Sequence, residues 1–153
     1  MKSTDQTKPA NLMLSGYLCF AVYSANLAFG KAYKPILEEL GLTYTQYVTI
    51  IALWEEDAQT VSGLGEKLFL ESNTLTPMLK KLEAMGYLER QRDPDDERQV
   101  RVTLTKNGRK LREKAFNRDL AGASGLAPDE FAKLQKATVT LRNNLIRSVQ
   151  TGE

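Results

Sequence analysis

The sequence has 153 residues, of which 42% are hydrophobic and 26% charged, as is typical of one globular domain with a sizeable core. It contains one cysteine and no histidine, which excludes an intrachain disulfide, a cysteine-rich zinc site and the serine–histidine and cysteine–histidine catalytic pairs. No apolar run approaches the roughly 20 residues that cross a bilayer, and the N-terminus "MKSTDQTKPAN" lacks the apolar segment of a signal peptide. We therefore expect a cytoplasmic protein that is not an enzyme, with no catalytic residues, metal site, cofactor or membrane partner.

Charge is unevenly distributed along the chain. The net charge is +2, but residues 36–76 contain seven acidic residues and one lysine, whereas residues 77–112 contain ten lysines and arginines and six acidic residues. A basic segment on a nearly neutral chain favours a local surface for a polyanion. A solvated charged face explains the same balance equally well, so charge alone does not decide the function.

The first predicted helix spans about residues 12–40 and contains the only cysteine, Cys19. Apolar residues recur there at close to the helical period, Pro35 is expected to bend or break the helix, and Gly41 ends it. Free cysteine is most often a small buried hydrophobe. If Ser15 is the N-cap, however, Cys19 falls at the end of the first turn, where a thiolate is favoured.

Two capped helices are predicted next. Thr43 and Gln46 form the capping-box pattern at the start of an apolar second helix that runs through Trp54. Thr60 is predicted to cap a short third helix, which two glycines weaken.

The fourth predicted helix, "SNTLTPMLKKLEAMG", is amphipathic and ends at Gly86. Pro77 fits its first turn if Thr74 rather than Ser72 is the effective N-cap. Alternating segments on either side of "DPDDERQ" then predict a two-stranded hairpin over residues 87–104.

Two more helices complete the predicted elements. Thr105 is expected to cap the fifth, and the last runs from about Pro128 to Val149. Its apolar residues approach the heptad spacing of helices that pair with other helices.

The order of helix, short turn, helix and hairpin over residues 60–104 is that of a winged helix-turn-helix. The recognition helix of this motif enters the major groove of duplex DNA by its N-terminal end, where small polar side chains reach base edges and lysines meet phosphates. An arginine on a wing suits the narrow minor groove. We therefore predict DNA contacts from the polar side of the fourth helix and from the wing, namely Ser72, Asn73, Thr74, Thr76, Pro77, Lys80, Lys81 and Arg98.

The stretch "TVSGLGEKLFLESNTLTPMLKKLEAMGYLERQRDPDDERQVRVTLTKNG" resembles the DNA-binding core of the MarR family of bacterial transcription regulators. Its "DDER" is similar to the family's wing signature, which implies that Asp96 and Arg98 order the wing tip and enter the minor groove. The upstream stretch "LCFAVYSANLAFGKAYKPILEELGLTYTQYVTIIALWEE" is similar to the OhrR branch, whose members sense organic hydroperoxides through a thiol. The resemblance covers about residues 12–112 strongly and the last helix weakly.

The resemblance implies a mainly α-helical fold with a small β-hairpin wing in an intertwined helical homodimer. Dimerisation helices are expected at about residues 10–40 and 128–150, and the DNA-binding region at about residues 43–104, within one domain spanning 1–153. The expected partners are an inverted-repeat operator in double-stranded DNA and a second copy of the chain.

For sensing, the resemblance implies that Cys19 is the redox-active residue and that Tyr33 and Tyr44 of the other subunit hydrogen-bond its thiol. Tyr23 lies one helical turn from Cys19 and is expected to lie beside it. Cys19 and Tyr33 are fourteen residues apart, roughly 21 Å along a straight helix, so they cannot touch within one helix.

The sequence departs from the OhrR pattern at three places. Asn73 replaces a small residue, which leaves the base preference open, and Thr45 replaces a frequent proline. The second cysteine that some members carry near the position of Gly122 is absent. An organic hydroperoxide would therefore oxidise Cys19 to a sulfenic acid that a low-molecular-weight thiol caps.

Three other interpretations remain at this stage. A MarR-type regulator that responds to a small aromatic ligand would use Cys19 only for packing. A cysteine-dependent peroxidase would require repeated turnover, and a purely structural helical dimer would leave the polar helix face and the wing arginine without a role.

Overall fold

The computed structural model describes residues 12–115 and 120–152. Within these residues the elements are α1 (Leu18–Leu40), α2 (Tyr44–Glu55), β1 (Gln59–Thr60), α3 (Val61–Leu68), α4 (Ser72–Ala84), β2 (Leu88–Arg92), β3 (Val100–Leu104), α5 (Lys106–Ala115) and α6 (Pro128–Thr151). Short 3-10 turns occupy Leu14–Gly16 and Gly122–Ser124. The predicted mainly helical chain with a β-hairpin is confirmed. None of the described helices is both long and apolar enough to cross a membrane.

The chain divides into two compact units, residues 1–117 and 118–153. The first contains α1 to α5 and the strands, and the second contains α6. Residues 1–11, predicted to lack a signal segment, and residues 116–119, at the end of the predicted fifth helix, lie outside the described residues. The assignment of the whole chain to one domain stays a prediction.

Three of the predicted helix caps, Thr43, Thr60 and Thr105, are confirmed. Thr43 Oγ1 accepts a hydrogen bond from the backbone N–H of Gln46 at 3.3 Å, and the Thr43 N–H donates to Gln46 Oε1 at 2.9 Å. The hydroxyls of Thr60 and Thr105 each accept from the N–H three residues on, at 3.0 and 3.1 Å. Because free N–H groups in the first turn need acceptors, these side chains determine where α2, α3 and α5 begin.

Two alternatives considered for α1, a break at Pro35 and an N-cap at Ser15, are not observed. Pro35 does not break the helix, which runs to Leu40 and ends at Gly41 with a φ of +67°. Proline removes one hydrogen bond, but Leu37 and Leu40 beyond it are buried, and their packing keeps the last turns helical. Ser15 is not the N-cap, because it lies in the preceding 3-10 turn and the helix begins after Tyr17.

Helix α4 begins at Ser72, where the predicted stretch begins, but the placement of Pro77 in its first turn is wrong. The N-cap is Glu71 rather than Thr74, so Pro77 is the sixth residue of the helix and lies outside the first turn. The buried side chains of Leu75 and Leu79 on either side of Pro77 hold this segment against the core, which offsets the lost hydrogen bond.

The core of the first unit lies between its helices and a three-stranded antiparallel sheet. The sheet has the order β1-β3-β2, with Arg90 of β2 paired to Val102 of the central strand. Strand β1, only two residues long, was not predicted, because two residues are too few to show an alternating pattern. Fully buried side chains include those of Ile50, Leu64, Leu79 and Val102. This packing holds α3, α4 and the hairpin together.

Two helices leave many apolar side chains exposed within the single chain. The buried residues of α1 are confined to Ile36, Leu37 and Leu40, and α6 buries no described residue. Exposed apolar side chains of α1 are Leu18, Phe20, Val22, Tyr23, Leu27 and Phe29, and those of α6 include Leu134, Val139, Leu145 and Val149. Apolar surface of this extent marks an interaction surface.

Candidate DNA-binding surface and thiol site

Helix α4 buries one side and exposes the other. Leu75, Met78, Leu79 and Leu82 are buried against the rest of the first unit. Among the predicted DNA-contacting residues of this helix, Thr76 is half-buried and the others are exposed: Ser72, Asn73, Thr74, Pro77, Lys80 and Lys81. The structure therefore places small polar groups in the first turns of α4 and two cations further along, all accessible from outside.

Pro77 leaves one backbone carbonyl of α4 without a donor in the helix's own hydrogen-bond ladder. An α-helical N–H donates to the carbonyl four residues earlier, and proline has no N–H. The carbonyl of Asn73 therefore lies outside the helix's own hydrogen-bond ladder and can accept from an external donor.

An ion pair attaches α4 to the wing, which is the β2–β3 hairpin with its turn. Glu83 Oε2 accepts from Arg90 Nε at 3.1 Å and from Nη2 at 2.8 Å, and Glu83 Oε1 accepts from the Arg90 backbone N–H at 2.9 Å. The hydrogen bonds from the Arg90 side chain and backbone lower the pKa of Glu83. Three bonds to one carboxylate hold the hairpin in one orientation relative to α4.

At the wing tip, hydrogen bonds hold one arginine in a fixed orientation. The Asp96 carboxylate accepts from Arg98 Nε at 3.0 Å, from Arg98 Nη2 at 3.2 Å and from the Arg98 backbone N–H at 3.2 Å. These bonds lower the pKa of Asp96, the side-chain bonds contributing most. The Arg98 side chain is nevertheless 90% exposed, so it is oriented by Asp96 and remains available to an outside acceptor.

A buried carboxylate organises the base of the wing. Asp93 is 4% exposed and accepts from the Asp95 backbone N–H at 2.8 Å and from Arg101 Nε at 2.6 Å. The bond from the Asp95 backbone, followed by that from Arg101, lowers the pKa of Asp93. Arg101 also donates through Nη1 to the carbonyl of Ala58 at 2.9 Å, which links the wing to the segment before α3.

Sequence reasoning missed these supporting residues. Glu83 and Arg90 are seven residues apart and lie on a helix and a strand, whereas Asp93 and Arg101 are eight apart across a hairpin. Neither spacing has a periodic signature, so only the fold reveals the pairs.

The thiol lies at the start of α1. Cys19 is the second residue of the helix and is exposed. Tyr23, one turn further along, is 58% exposed. Among the described residues, no group of three or more cysteine or acidic side chains is arranged to hold a metal ion.

Two of the predicted tyrosines lie together, far from this thiol. The Tyr33 ring, on α1, lies 5.4 Å from that of Tyr44, the first residue of α2, measured between ring centroids. Because α1 is unbroken, Cys19 and Tyr33 are separated by roughly 21 Å along it. Within one chain, therefore, the tyrosine pair and the thiol lie apart.

A third tyrosine, which the sequence reasoning did not identify, supports this pair. The Tyr47 ring lies 6.0 Å from that of Tyr33 and is buried. Burial, with a smaller contribution from Tyr44, raises the pKa of Tyr47, so its hydroxyl stays protonated in neutral solution. Its spacing three residues after Tyr44 on α2 was the available signal.

Comparison with known proteins decides the family. Residues 31–115, more than half of the chain, match the family model described as "Transcriptional regulator SarA/Rot". The chain belongs to this family of winged-helix transcriptional regulators. The resemblance to MarR-type regulators noted in the sequence is thereby confirmed.

Relatives of this SarA/Rot regulator extend the match to nearly the whole chain. The "Organic hydroperoxide resistance transcriptional regulator" of Bacillus subtilis is 39% identical, over 92% of this chain and 97% of its own length. Reduced AbfR bound to DNA is 38% identical with a TM-score of 0.76, over 89% of this chain and 94% of that chain. Overoxidised AbfR bound to DNA is 39% identical with a TM-score of 0.70, over 85% and 93% of the two chains.

The buried wing carboxylate makes the stability of this regulator pH-dependent. The pKa of Asp93 in the folded protein lies below its usual 3.8, so its contribution to stability is present above about pH 4 and lost as the pH falls through the folded-state value. We expect Asp93→Asn to lower the urea midpoint at pH 7, and the difference from the parent to shrink towards pH 3.

The matched control is Asp95→Asn, at an exposed carboxylate to which no described residue donates. It should follow the parent at both pH values. A midpoint difference for Asp93→Asn that is as large at pH 3 as at pH 7 contradicts this account of the wing.

Proposed function

We propose that this chain is a cytoplasmic redox-sensing transcription repressor, which binds an inverted-repeat operator as a homodimer and releases it when an organic hydroperoxide oxidises Cys19. The observation that carries the proposal is the nearly full-length similarity to the Bacillus subtilis organic hydroperoxide regulator, in a chain whose one thiol is exposed at a helix start. The thiol reacts once per release, so the protein acts as a switch and not as an enzyme.

DNA binding uses the exposed side of α4 and the wing. The first turns of α4 carry Ser72, Asn73 and Thr74, whose short polar side chains suit base edges in the major groove. Lys80 and Lys81 then meet backbone phosphates. Arg98 enters the minor groove. Because its ion pair with Asp96 already orients the side chain, little side-chain freedom is lost on binding.

The homodimer covers the apolar surface of α1 and completes the thiol site. Leu18 and Phe20, on either side of Cys19 in sequence, are both exposed in the single chain, and covering them removes apolar area from water. Tyr33 and Tyr44 of the partner subunit reach the thiol across this contact. Their hydroxyls donate to the sulfur, while Tyr23 of the same chain lies beside it.

Oxidation begins with the thiolate of Cys19. Its sulfur attacks the outer oxygen of the hydroperoxide, so the O–O bond breaks, a sulfenic acid forms, and the leaving alkoxide takes a proton from water to become an alcohol. A low-molecular-weight thiol then attacks this sulfur, which releases water and leaves a mixed disulfide. The peroxide is the oxidant, and a further thiol restores Cys19 by exchange.

The mixed disulfide is the form that releases DNA. Overoxidised AbfR was crystallised bound to DNA, so overoxidation of that regulator is compatible with DNA binding. A thiol adduct adds a whole small molecule among the apolar side chains of α1. We infer that this bulk displaces the dimer contact and changes the spacing of the two recognition helices.

For the wing, the direction of the change in operator affinity shows whether Asp96 orients Arg98 or only repels DNA by its charge. Arg98→Ala should weaken operator binding by about 1–3 kcal/mol. Asp96→Ala should also weaken it, although it removes a negative charge near DNA, because Arg98 loses the carboxylate that orients it. The affinities are measured by fluorescence anisotropy with a labelled operator.

Asp95→Ala is the control, since it makes the same charge change one residue away. It should bind as tightly as the parent or more tightly. If Asp96→Ala also binds more tightly than the parent, Asp96 acts only as a repelling charge.

For the sensor, Cys19→Ser should bind the operator like the parent but remain bound when an organic hydroperoxide and a small thiol are added. The parent should dissociate under the same conditions, with one thiol adduct per chain at Cys19, and dithiothreitol should remove the adduct and restore binding. Fluorescence anisotropy measures operator binding, and mass spectrometry measures the adduct at Cys19. A Cys19→Ser protein that dissociates on this treatment contradicts the proposed switch.

A further inference from the structure

A cleft of about 210 Å³ separates the starts of α3 and α4 from the wing. Three apolar side chains line it together with polar groups from all three elements, which include Ser62 of α3, Ser72 and Thr76 of α4, and Arg90, Arg98 and Gln99 of the wing. Among these residues, Ser62, Arg90 and Gln99 have no role in the function proposed above. The lining contains no carboxylate.

The two guanidinium groups of the cleft are held by carboxylates that lie outside it. Arg90 is paired through Nε and Nη2 with Glu83, and Arg98 through the same atoms with Asp96, and neither acid lines the cleft. No described residue accepts from the Nη1 group of either arginine. The cleft therefore combines oriented cationic donors with hydroxyl and amide groups, which are the donors that bind phosphate oxygens.

The geometry of duplex DNA explains why a cleft lies there. The major groove, about 12 Å wide, and the adjacent minor groove, about 6 Å wide, are separated by one sugar–phosphate strand. If α4 occupies the major groove while Arg98 occupies the neighbouring minor groove, that strand has to pass between them. The cleft is the space between α4 and the wing, and Glu83 keeps its two walls joined.

We propose that this cleft binds the DNA backbone strand between the two grooves, with Ser62, Arg90 and Gln99 as phosphate-contacting residues. This assignment rests on the proposed function, because it requires α4 and the wing to contact one duplex. It adds α3 to the DNA-binding surface and makes Arg90 both a support of the wing and a phosphate ligand.

Ser62→Asp tests the assignment because its expected effects on binding and stability have opposite signs. Ser62 is exposed and is the second residue of α3, where an acidic side chain stabilises a helix. The variant should therefore unfold at or above the parent's temperature. A carboxylate in the cleft should weaken binding to the operator and to an unrelated duplex by similar factors, about tenfold, and make the salt slope shallower by about one unit.

Asn107→Asp is the matched control. Asn107 is the exposed second residue of α5 and does not line the cleft, so the same charge is added at the same helical position elsewhere. It should bind DNA within about twofold of the parent. If Ser62→Asp also stays within twofold, the backbone strand does not pass through the cleft, and the assignment is wrong.

Operators carrying one neutral methylphosphonate at a time locate the phosphate. At one position in each half-site, the methylphosphonate should weaken the parent but strengthen Ser62→Asp, because it removes the repulsion from the new carboxylate. Loss of affinity at every position in both proteins overturns the assignment. A parent that binds no duplex, while reduced and dimeric, overturns the proposed function and this assignment with it.

Discussion

The unbroken length of α1 is the constraint on which the sensing half of the molecule depends. A helix of 23 residues holds Cys19 near one end and Tyr33 roughly 21 Å further along, and no rotamer spans that distance. The tyrosine pair and the thiol can meet only if another chain supplies one of them. The exposed apolar residues around Cys19 give that second chain a surface to cover, so burial that favours the dimer also encloses the thiol. In the proposed homodimer, sensing and dimerisation depend on the same contact, so a modification of the sulfur would act directly on it.

At the DNA-binding end of the molecule, three carboxylates hold α4, the wing and Arg98 in position. Glu83 joins α4 to β2, Asp96 orients Arg98, and Asp93 holds the base of the wing. Each accepts several hydrogen bonds, and these bonds lower the pKa of all three groups, so they remain charged at neutral pH. Their negative charges cost some attraction to DNA, but they reduce the freedom that the wing loses on binding. The acidic turn "DPDDERQ" in a DNA-binding segment has this physical explanation.

Local signals in the sequence predicted the helix starts at Thr43, Thr60 and Thr105, because a cap depends on residues three positions apart. The same local reasoning offered a break at Pro35 and a later helix start that would place Pro77 in the first turn, and neither is observed. Burial of the neighbouring leucines, a tertiary effect, kept both helices intact.

Pairs of distant residues were beyond sequence reasoning. The Glu83–Arg90 pair, the cleft beside Ser62 and the packing of Tyr47 on Tyr33 arise only once helices and strands lie side by side. Tyr33 and Tyr44 were identified by resemblance, and the fold brings their rings to 5.4 Å. The roles assigned to the individual site residues remain predictions, because they concern a duplex and a second chain.

The most direct test of a site shared between two chains is the rate of Cys19 oxidation in mixed dimers purified through two different affinity tags. One dimer pairs a Cys19→Ser chain with a Tyr33→Phe/Tyr44→Phe chain, so that its only Cys19 faces unmodified tyrosines of the partner subunit. The other pairs a parent chain with a chain carrying all three substitutions, so that its only Cys19 has unmodified tyrosines in its own chain alone. The account predicts a parental rate in the first dimer and a slow rate in the second. The reverse order would show that each chain completes its own thiol site, in contradiction to the geometry of α1.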